Sequence, residues 1–408
     1  MFRRFVAQLT IPKPWFWGFA LTVVGMLVTL VFQIVAARFI GPDHFAEFAS
    51  FLALVNIGAI GAGALQNSVA IRVASQGHKL DSSDNYLSRH STLLESAILG
   101  FIALAIALSF SPLIDLLTGS SGTSLFAAAI TFPLSFLFSR NLGVLQGNSK
   151  SIQTLWLSTA GSVVRLALFL CMLPLLGALP TSISSVVLGL GIICLISFVL
   201  VSKIKDRGSG KPFTQKSLIV IVNTIIFAWL TNSDVIFFKN LTDPQTASDY
   251  SVASIFIKAA LVIPGTISIF LLPKLAQKSA EEKNSDNSFK KSTIITFASG
   301  ILISIFLLVA GGMIIEILFG NSYSLSNQFV CLVSLSFLPW MMAQNELMRT
   351  NTNAYKKETA LFVLFALLQA VLFVVILPNV VAAICSNFLI GTFTFVMQRI
   401  VSHSTQQK

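Results

Sequence analysis

Charge is what this sequence has least of: Asp, Glu, Lys and Arg make up 11% of its 408 residues, where soluble domains carry about 25%. With 55% of the chain hydrophobic, that scarcity excludes an ordinary water-soluble domain, because too little polar surface remains to cover the apolar residues. Cysteine is also scarce. Cys171, Cys194, Cys331 and Cys385 stand singly inside apolar stretches with no CxxC spacing, which argues against a disulfide framework or a zinc site and leaves core packing. The four histidines (His44, His78, His90, His403) are scattered over segment ends and loops, so no acid, base and nucleophile converge. GSGKP (208–212) resembles the tail of a phosphate loop, but the first Gly is missing at the required spacing and Pro212 stands where Ser or Thr would hold magnesium. No enzyme, metal or cofactor is expected.

What is there instead is a series of long apolar runs. Twelve windows of about 20 residues or more are each long enough to cross roughly 30 Å of hydrocarbon as α-helix. They lie near 15–37, 45–71, 91–117, 122–146, 152–177, 180–202, 217–238, 249–273, 292–319, 324–348, 358–377 and 379–400. The first is too long for a signal-peptide core and reads as a retained span, anchored at the interface by KPWFW (13–17).

The net charge of +11 would suit nucleic acid were the basic residues clustered, but they are spread by topology. Lys and Arg number three in the N-terminal tail, then three, two, five, five and three in the connections after spans 2, 4, 6, 8 and 10, and two at the C-terminus, which is 23 of the 27. The opposite-side connections hold only Arg38 and Lys239. By the positive-inside rule both termini are cytoplasmic and the spans alternate from there, and no nucleic-acid partner is expected.

The chain also resembles itself. A shift of 202 lays Glu47 and Phe48 on Asp249 and Tyr250, Asn56 on Lys258, Gly63 on Gly265, Arg72 on Lys274 and Arg89 on Lys291. A shift of 201 lays LIDLL (113–117) on IIEIL (314–318) and LSFL (134–137) on LSFL (335–338), and a shift of 204 lays RLALFLCMLP (165–174) on QAVLFVVILP (369–378). Such a steady offset predicts an all-α integral membrane protein of twelve transmembrane helices, in two six-helix lobes related by a parallel repeat around a central cleft. The lobes are 1–201 and 217–408, joined by a cytoplasmic linker at 202–216.

The two basic residues left over from the charge count, Arg165 and Lys258, lie inside spans. Lys258 is nine residues into its window, roughly 13 Å of helix, where a charge costs about 2.5–3.5 kcal/mol. Thr154, Ser158, Ser162 and Arg165 share one small, polar helix face, as do Ser251, Ser254 and Lys258, and as do Asn56, Gly63 and Asn67 on the duplicate span. The functional reading makes Arg165, Lys258 and their repeat mates Asn56 and Gln369 a substrate site, and the bland one has these groups pair with carbonyls or a carboxylate and simply glue helices together. Among the acids, Asp115 and Glu316 are repeat mates near outer ends, Glu346 pairs locally with Arg349, and Asp234, five residues before Lys239, is either a structural partner or a gating or coupling group. Arg38 and Lys239 are further gating or coupling candidates. With no acid placed at mid-depth, the middle of the bundle is expected to be cationic, which suits an anionic cargo.

Three stretches carry a family resemblance: FQIVAARFIGPDHFAEFASFLALVNIGAIGAGALQNSVAIRVA (32–74), NSDVIFFKNLTDPQTASDYSVASIFIKAALVIPGTISIFLLPKLAQ (232–277) and IIEILFGNSY (314–323). They resemble Wzx-type lipid-linked oligosaccharide flippases of the multidrug/oligosaccharidyl-lipid/polysaccharide (MOP) exporter superfamily. The resemblance implies outward transfer of an undecaprenyl-diphosphate-linked sugar unit by alternating access, for O-antigen or other polysaccharide assembly. Membrane lipids, a polysaccharide polymerase and a chain-length regulator are the partners it implies. A drug/cation antiporter of the same superfamily would be expected to carry a buried carboxylate in its cleft. A lipid II flippase usually has two more spans. A membrane polysaccharide polymerase usually presents a large external loop, whereas the external connections here are short and nearly uncharged.

Overall fold

The computed structural model describes residues 13–76, 91–109, 122–204, 213–259, 285–323, 325–351 and 356–406. Helices account for nearly all of them: α1 (Lys13–Ile40), α2 (Pro42–Gln76), α3 (Ser91–Ser109), α4 (Gly122–Gly147), α5 (Ser151–Leu176), α6 (Ala178–Ser202), α7 (Gln215–Leu241), α8 (244–259), α9 (Ser285–Phe319), α10 (Asn327–Asn351), α11 (Lys356–Ile376) and α12 (Val380–Gln406). No strand occurs among the described residues. The expected twelve helices are thus present. The far part of the eighth window, with Lys274, lies outside the described residues, as do Asp115, Arg89, and 205–212 of the linker.

Ten of the helices are long and apolar enough to cross a membrane. The protein is inside-out by the standards of a soluble fold: Leu175, Val309 and Val375 are 79%, 75% and 74% exposed, while Ser185, Ser251 and Gln369 are fully buried. Only a hydrocarbon solvent makes that distribution favourable. α10, expected as a span, is not among the ten, because Ser334, Ser336, Asn345 and Glu346 lower its hydropathy. All four are buried where α10 packs against α9 and α12.

Local sequence explains the helix ends. Gly41 alone separates α1 from α2, at φ +75°, and Pro42 opens α2, the arrangement in which a left-handed glycine ends one helix and proline starts the next. Gly177 (φ +78°) and Gly320 (φ +104°) follow α5 and α9, also at positive φ. Thr214 caps α7, its hydroxyl accepting from the Ser217 N–H at 3.3 Å.

Contacts group the described residues into two compact units. One contains the chain up to Gln33, Leu65–Leu104 and Ile130 to the linker. The other contains Ile34–Ala64, the stretch from Ala105 to Ala129, and all that follows Phe213. These units are defined by contact and the repeat halves by sequence similarity, so residues of the first half occur in both units.

In the first unit Phe32 of α1 meets Phe169 of α5 edge-on at 5.7 Å, both fully buried. α2 and α4 approach through GVLQG (143–147): a Cβ on Gly143 would lie 2.6 Å from the Gln66 carbonyl oxygen, and one on Gly147 would lie 2.6 Å from the Val73 Cβ. The second unit has an aromatic core in which Phe238 and Tyr250 stack at 3.6 Å, with Phe373 edge-on to Phe238 at 6.3 Å.

Candidate functional site

The second unit places a carboxylate where the sequence suggested only cations. Asp234 lies seven residues inside the C-terminus of α7, about 10 Å from that helix end, and is 1% exposed. Facing it, α8 presents Tyr250, Ser254 and Lys258 at four-residue intervals, hence on one face. All three donate to the carboxylate: the Tyr250 hydroxyl to Oδ2 at 2.8 Å, the Ser254 hydroxyl to Oδ2 at 3.2 Å, and Lys258 Nζ to Oδ1 at 3.0 Å and Oδ2 at 3.3 Å. Helical side chains lean toward their own N-terminus, so the Lys258 stem carries its ammonium back along α8 to the level of Asp234. The same ammonium lies 4.8 Å from the Phe337 ring centroid on α10. The expectation of an acid-free middle is corrected here. A zwitterionic pair occupies this unit, because α8 begins at residue 244 and its lysine and the α7 aspartate reach one depth.

Gln369 belongs to the adjoining turn of the same network. It is fully buried, its Nε2 donating to the Leu230 carbonyl at 2.9 Å and to Asn387 Oδ1 at 3.1 Å, and its Oε1 accepting from the Ser233 hydroxyl at 3.1 Å. α7 therefore offers Ser233 to Gln369 and Asp234 to Lys258. Asn56 is exposed on α2. These three are residues of the second unit, and Arg165 is one of the first.

Arg165 has a different environment. Its Cζ lies 5.7 Å from the Phe32 ring centroid, and its buried Nε has no hydrogen-bond partner among the described residues. α6 presses against α5 at this level, since a Cβ on Gly189 would be 3.3 Å from the Arg165 Cα. Two hydroxyls on the same face of α5 join it to other helices, Ser162 sharing a hydrogen bond with Thr29 of α1 at 2.9 Å and Thr154 donating to the Leu142 carbonyl of α4 at 3.5 Å, while Ser158 donates to the Thr154 carbonyl of its own helix at 3.2 Å. Thus the face Thr154–Ser158–Ser162 is structural, and Arg165 at its end is the member whose donor is left open.

A third polar cluster, in the first unit, escapes the sequence reading. Glu95 of α3 is fully buried and pairs with Arg72 of α2 at 2.9 Å. Arg140 of α4, 3% exposed, donates from Nε to the Thr92 hydroxyl at 3.2 Å and from NH1 to Asn141 Oδ1 at 3.0 Å, and Asn141 donates to Ser197 of α6 at 3.0 Å. Arg72 and Arg140 entered the charge count with the connections, whereas Arg72 lies on α2 just past its apolar window and Arg140 lies inside the window of α4. The signal was present as an acid, Glu95, inside an apolar window. Glu346 is 3% exposed on α10, and the side chain of its expected partner Arg349 lies outside the described residues.

Arg38 and Lys239 occupy the last turns of their helices. Arg38 Nε donates to the Leu318 carbonyl at 2.7 Å and its NH2 to that of Ile317. Lys239, in the last turn of α7, is electrostatically coupled to Glu47 of α2.

No protein-family model and no curated protein matches this sequence. Solved structures do match its fold. A multidrug resistance MATE family transporter of the MOP superfamily, in an inward-facing conformation, superposes with a TM-score of 0.69 at 13% identity, over 96% of this chain and 99% of that one. The lipid II flippase MurJ, in an inward closed conformation, gives 0.66 at 14% identity over 94% of this chain and 86% of that one. A MOP superfamily transporter from Pyrococcus furiosus, described as having a binding pocket of reverse polarity that suggests a different function, gives 0.57 at 15% identity over 96% and 94%. None of the three is an enzyme. The chain is a multi-pass membrane protein with the all-helical fold of MOP superfamily transporters.

Proposed function

We propose that the protein is a flippase that moves an undecaprenyl-diphosphate-linked oligosaccharide from the inner to the outer leaflet of a bacterial cytoplasmic membrane, with both termini cytoplasmic. The observation that carries this reading is Arg165: a guanidinium deep in a membrane helix, with a buried Nε that no described residue satisfies. An unsatisfied cationic donor in hydrocarbon is costly, and a diphosphate or acidic sugar entering beside it would complete its hydrogen bonds. The lipid tail would remain in the bilayer while the charged head passes through the protein. Moving negative charge outward is favoured by an inside-negative potential, by about 2.3 kcal/mol per charge per 100 mV. Lys258 takes part by exchange: a cargo anion competes with Asp234 for the ammonium, and Asp234 keeps the Tyr250 and Ser254 hydroxyls meanwhile. The resemblance of three long stretches to Wzx-type flippases supports the same cargo class, with a polysaccharide polymerase and chain-length regulator downstream.

A drug/cation antiporter is the second reading, and Asp234 favours it, being a buried carboxylate on the fold that MATE transporters share. Against it, Lys258 already neutralises that carboxylate at 3.0 Å. Charge sign separates the two readings, and the Pyrococcus furiosus transporter is a case on this fold where pocket polarity is held to suggest a different function. The test is deletion followed by localisation of lipid-linked saccharides. Accumulation of single units in the inner leaflet supports the flippase, outer-leaflet accumulation points to a polymerase, and unchanged saccharides with increased drug sensitivity point to the antiporter. Arg165→Lys should keep much of the flipping per folded molecule and Arg165→Ala should lose it.

A further inference from the structure

Charge counting assigned two basic residues to the outer side of the membrane, Arg38 and Lys239. Both sit where first-half residues meet second-half ones inside the second unit, Arg38 by hydrogen bonds and Lys239 by the charge of Glu47. Arg38, in the last turn of α1, donates to the carbonyls of Ile317 and Leu318 in the last turn of α9. Those carbonyls have no partner within their own helix and form the negative end of its dipole, so a guanidinium is a fitting cap. Gly320 turns the chain away, and Tyr323 follows. Its hydroxyl donates to the Ala37 carbonyl at 3.2 Å, and its ring sits edge-on to Phe45 at 6.0 Å. Glu47 of α2 accepts from the Ser124 hydroxyl at 2.9 Å and faces Lys239 electrostatically.

Between these two ties the starts of α2 and α8 touch. The Ser248 hydroxyl accepts from the Ala46 N–H at 3.2 Å and donates to the Pro42 carbonyl. Ala46 and Ser248 are 202 residues apart, which is the offset of the internal repeat. Residues that meet their own repeat mates lie on the local two-fold axis, so this is where the two duplicated hairpins cross.

We propose that Arg38 and Lys239 form a reversible outer latch, which holds the α1–α2 corner against α7, α8 and α9 and must open for cargo to leave on the outer side. Arg38 is exposed, so water can replace the carbonyls it caps, and Lys239 and Glu47 are each only half-buried, so water can reach both when they part. The aromatic contact and the Ser248 hydrogen bonds set its register. The proposal rests on the transport reading but not on the identity of the cargo.

The test uses Ser251, fully buried one turn beyond Ala247, as a reporter behind the latch. In the full-length protein carrying Ser251→Cys, labelling by an impermeant sulfonated maleimide is measured from outside, over the background of the four native cysteines. Arg38→Ala with Lys239→Ala should raise the labelling rate about tenfold, the shift given by ~1.4 kcal/mol of lost closed-state preference. An unchanged rate in that double variant would overturn the latch. Adding Ala46→Cys and Ser248→Cys, oxidised to a disulfide, should suppress labelling, and reduction should restore it. If the disulfide forms and both labelling and transport continue, opening occurs elsewhere and the proposal fails. If the reporter responds as expected while lipid-linked saccharides do not move, only the cargo assignment falls.

Discussion

A lysine in hydrocarbon needs an explanation, and for Lys258 the first part of it is Asp234. The pair satisfies the charge of each partner and, with Tyr250 and Ser254, three donors meet one carboxylate. Removing one member strands the other, which costs about 3–5 kcal/mol, whereas neutralising both together is often nearly free. Lys258→Met should therefore reduce the amount of folded protein in the membrane, and Lys258→Met with Asp234→Asn should restore it, as read by detergent-extracted yield and thermal aggregation. Flipping should stay lost in the restored double variant, because the cation is gone even though the fold is back. Full recovery of transport would make the pair purely structural. Arg165 differs because no carboxylate among the described residues is paired with it, so Arg165→Ala should leave yield near normal while activity falls.

At the scale of the helices, ends and close approaches carry the predictions. α8 begins with Asp243, whose Oδ1 accepts from the Thr246 N–H at 3.0 Å, followed by Pro244 at the first helical position. Asp243→Ala should cost about 1 kcal/mol and lower the midpoint of thermal unfolding. The Thr246 hydroxyl and then its backbone N–H hold the Asp243 carboxyl below its usual range. Since the native value is the lower one, this stabilisation is whole above about pH 4 and fades as pH falls through the native value. The difference between Asp243 and Asp243→Ala should vanish in acid, and a difference that grew in acid would contradict the cap. The α2–α4 contact is stiffer. A Cβ on Gly143 would meet the Gln66 carbonyl oxygen at 2.6 Å and the Val69 Cβ at 2.9 Å, backbone and branched side chain that have no room to yield. Gly143→Val should cost about 1–3 kcal/mol and be seen as loss of folded protein, while Gly63→Ala, with open space around it, should be tolerated. The glycine pair at 143 and 147 was visible in the sequence as small residues four apart, but which helix they admit was not. Spacing defines a helix face, and the neighbour is chosen by the rest of the fold.

For the whole molecule, the uneven placement of Lys and Arg predicts the orientation. A cysteine at Ser151, exposed at the start of α5, should be shielded from an impermeant thiol reagent in intact cells, and one at Asn321, exposed after α9, should react. The opposite pattern would reverse the assignment of inside and outside.

Composition and the lengths of apolar runs were enough to establish a multi-pass all-helical membrane protein, since the bilayer imposes the same length and polarity on every span independently of its neighbours. The order of twelve helices was legible for a similar reason: each apolar run is read from its own residues. What the tertiary structure decided was which charges meet. Asp234 and Lys258 are 24 residues apart, Arg38 and the Leu318 carbonyl 280, and Glu95 and Arg140 sit on helices that the hydropathy pattern treats as interchangeable. A helical repeat of 3.6 residues tells which side chains share a face. It leaves open how each helix is rotated and how far it slides against its partner, and one turn of sliding is 5.4 Å, more than the reach of any of these bonds.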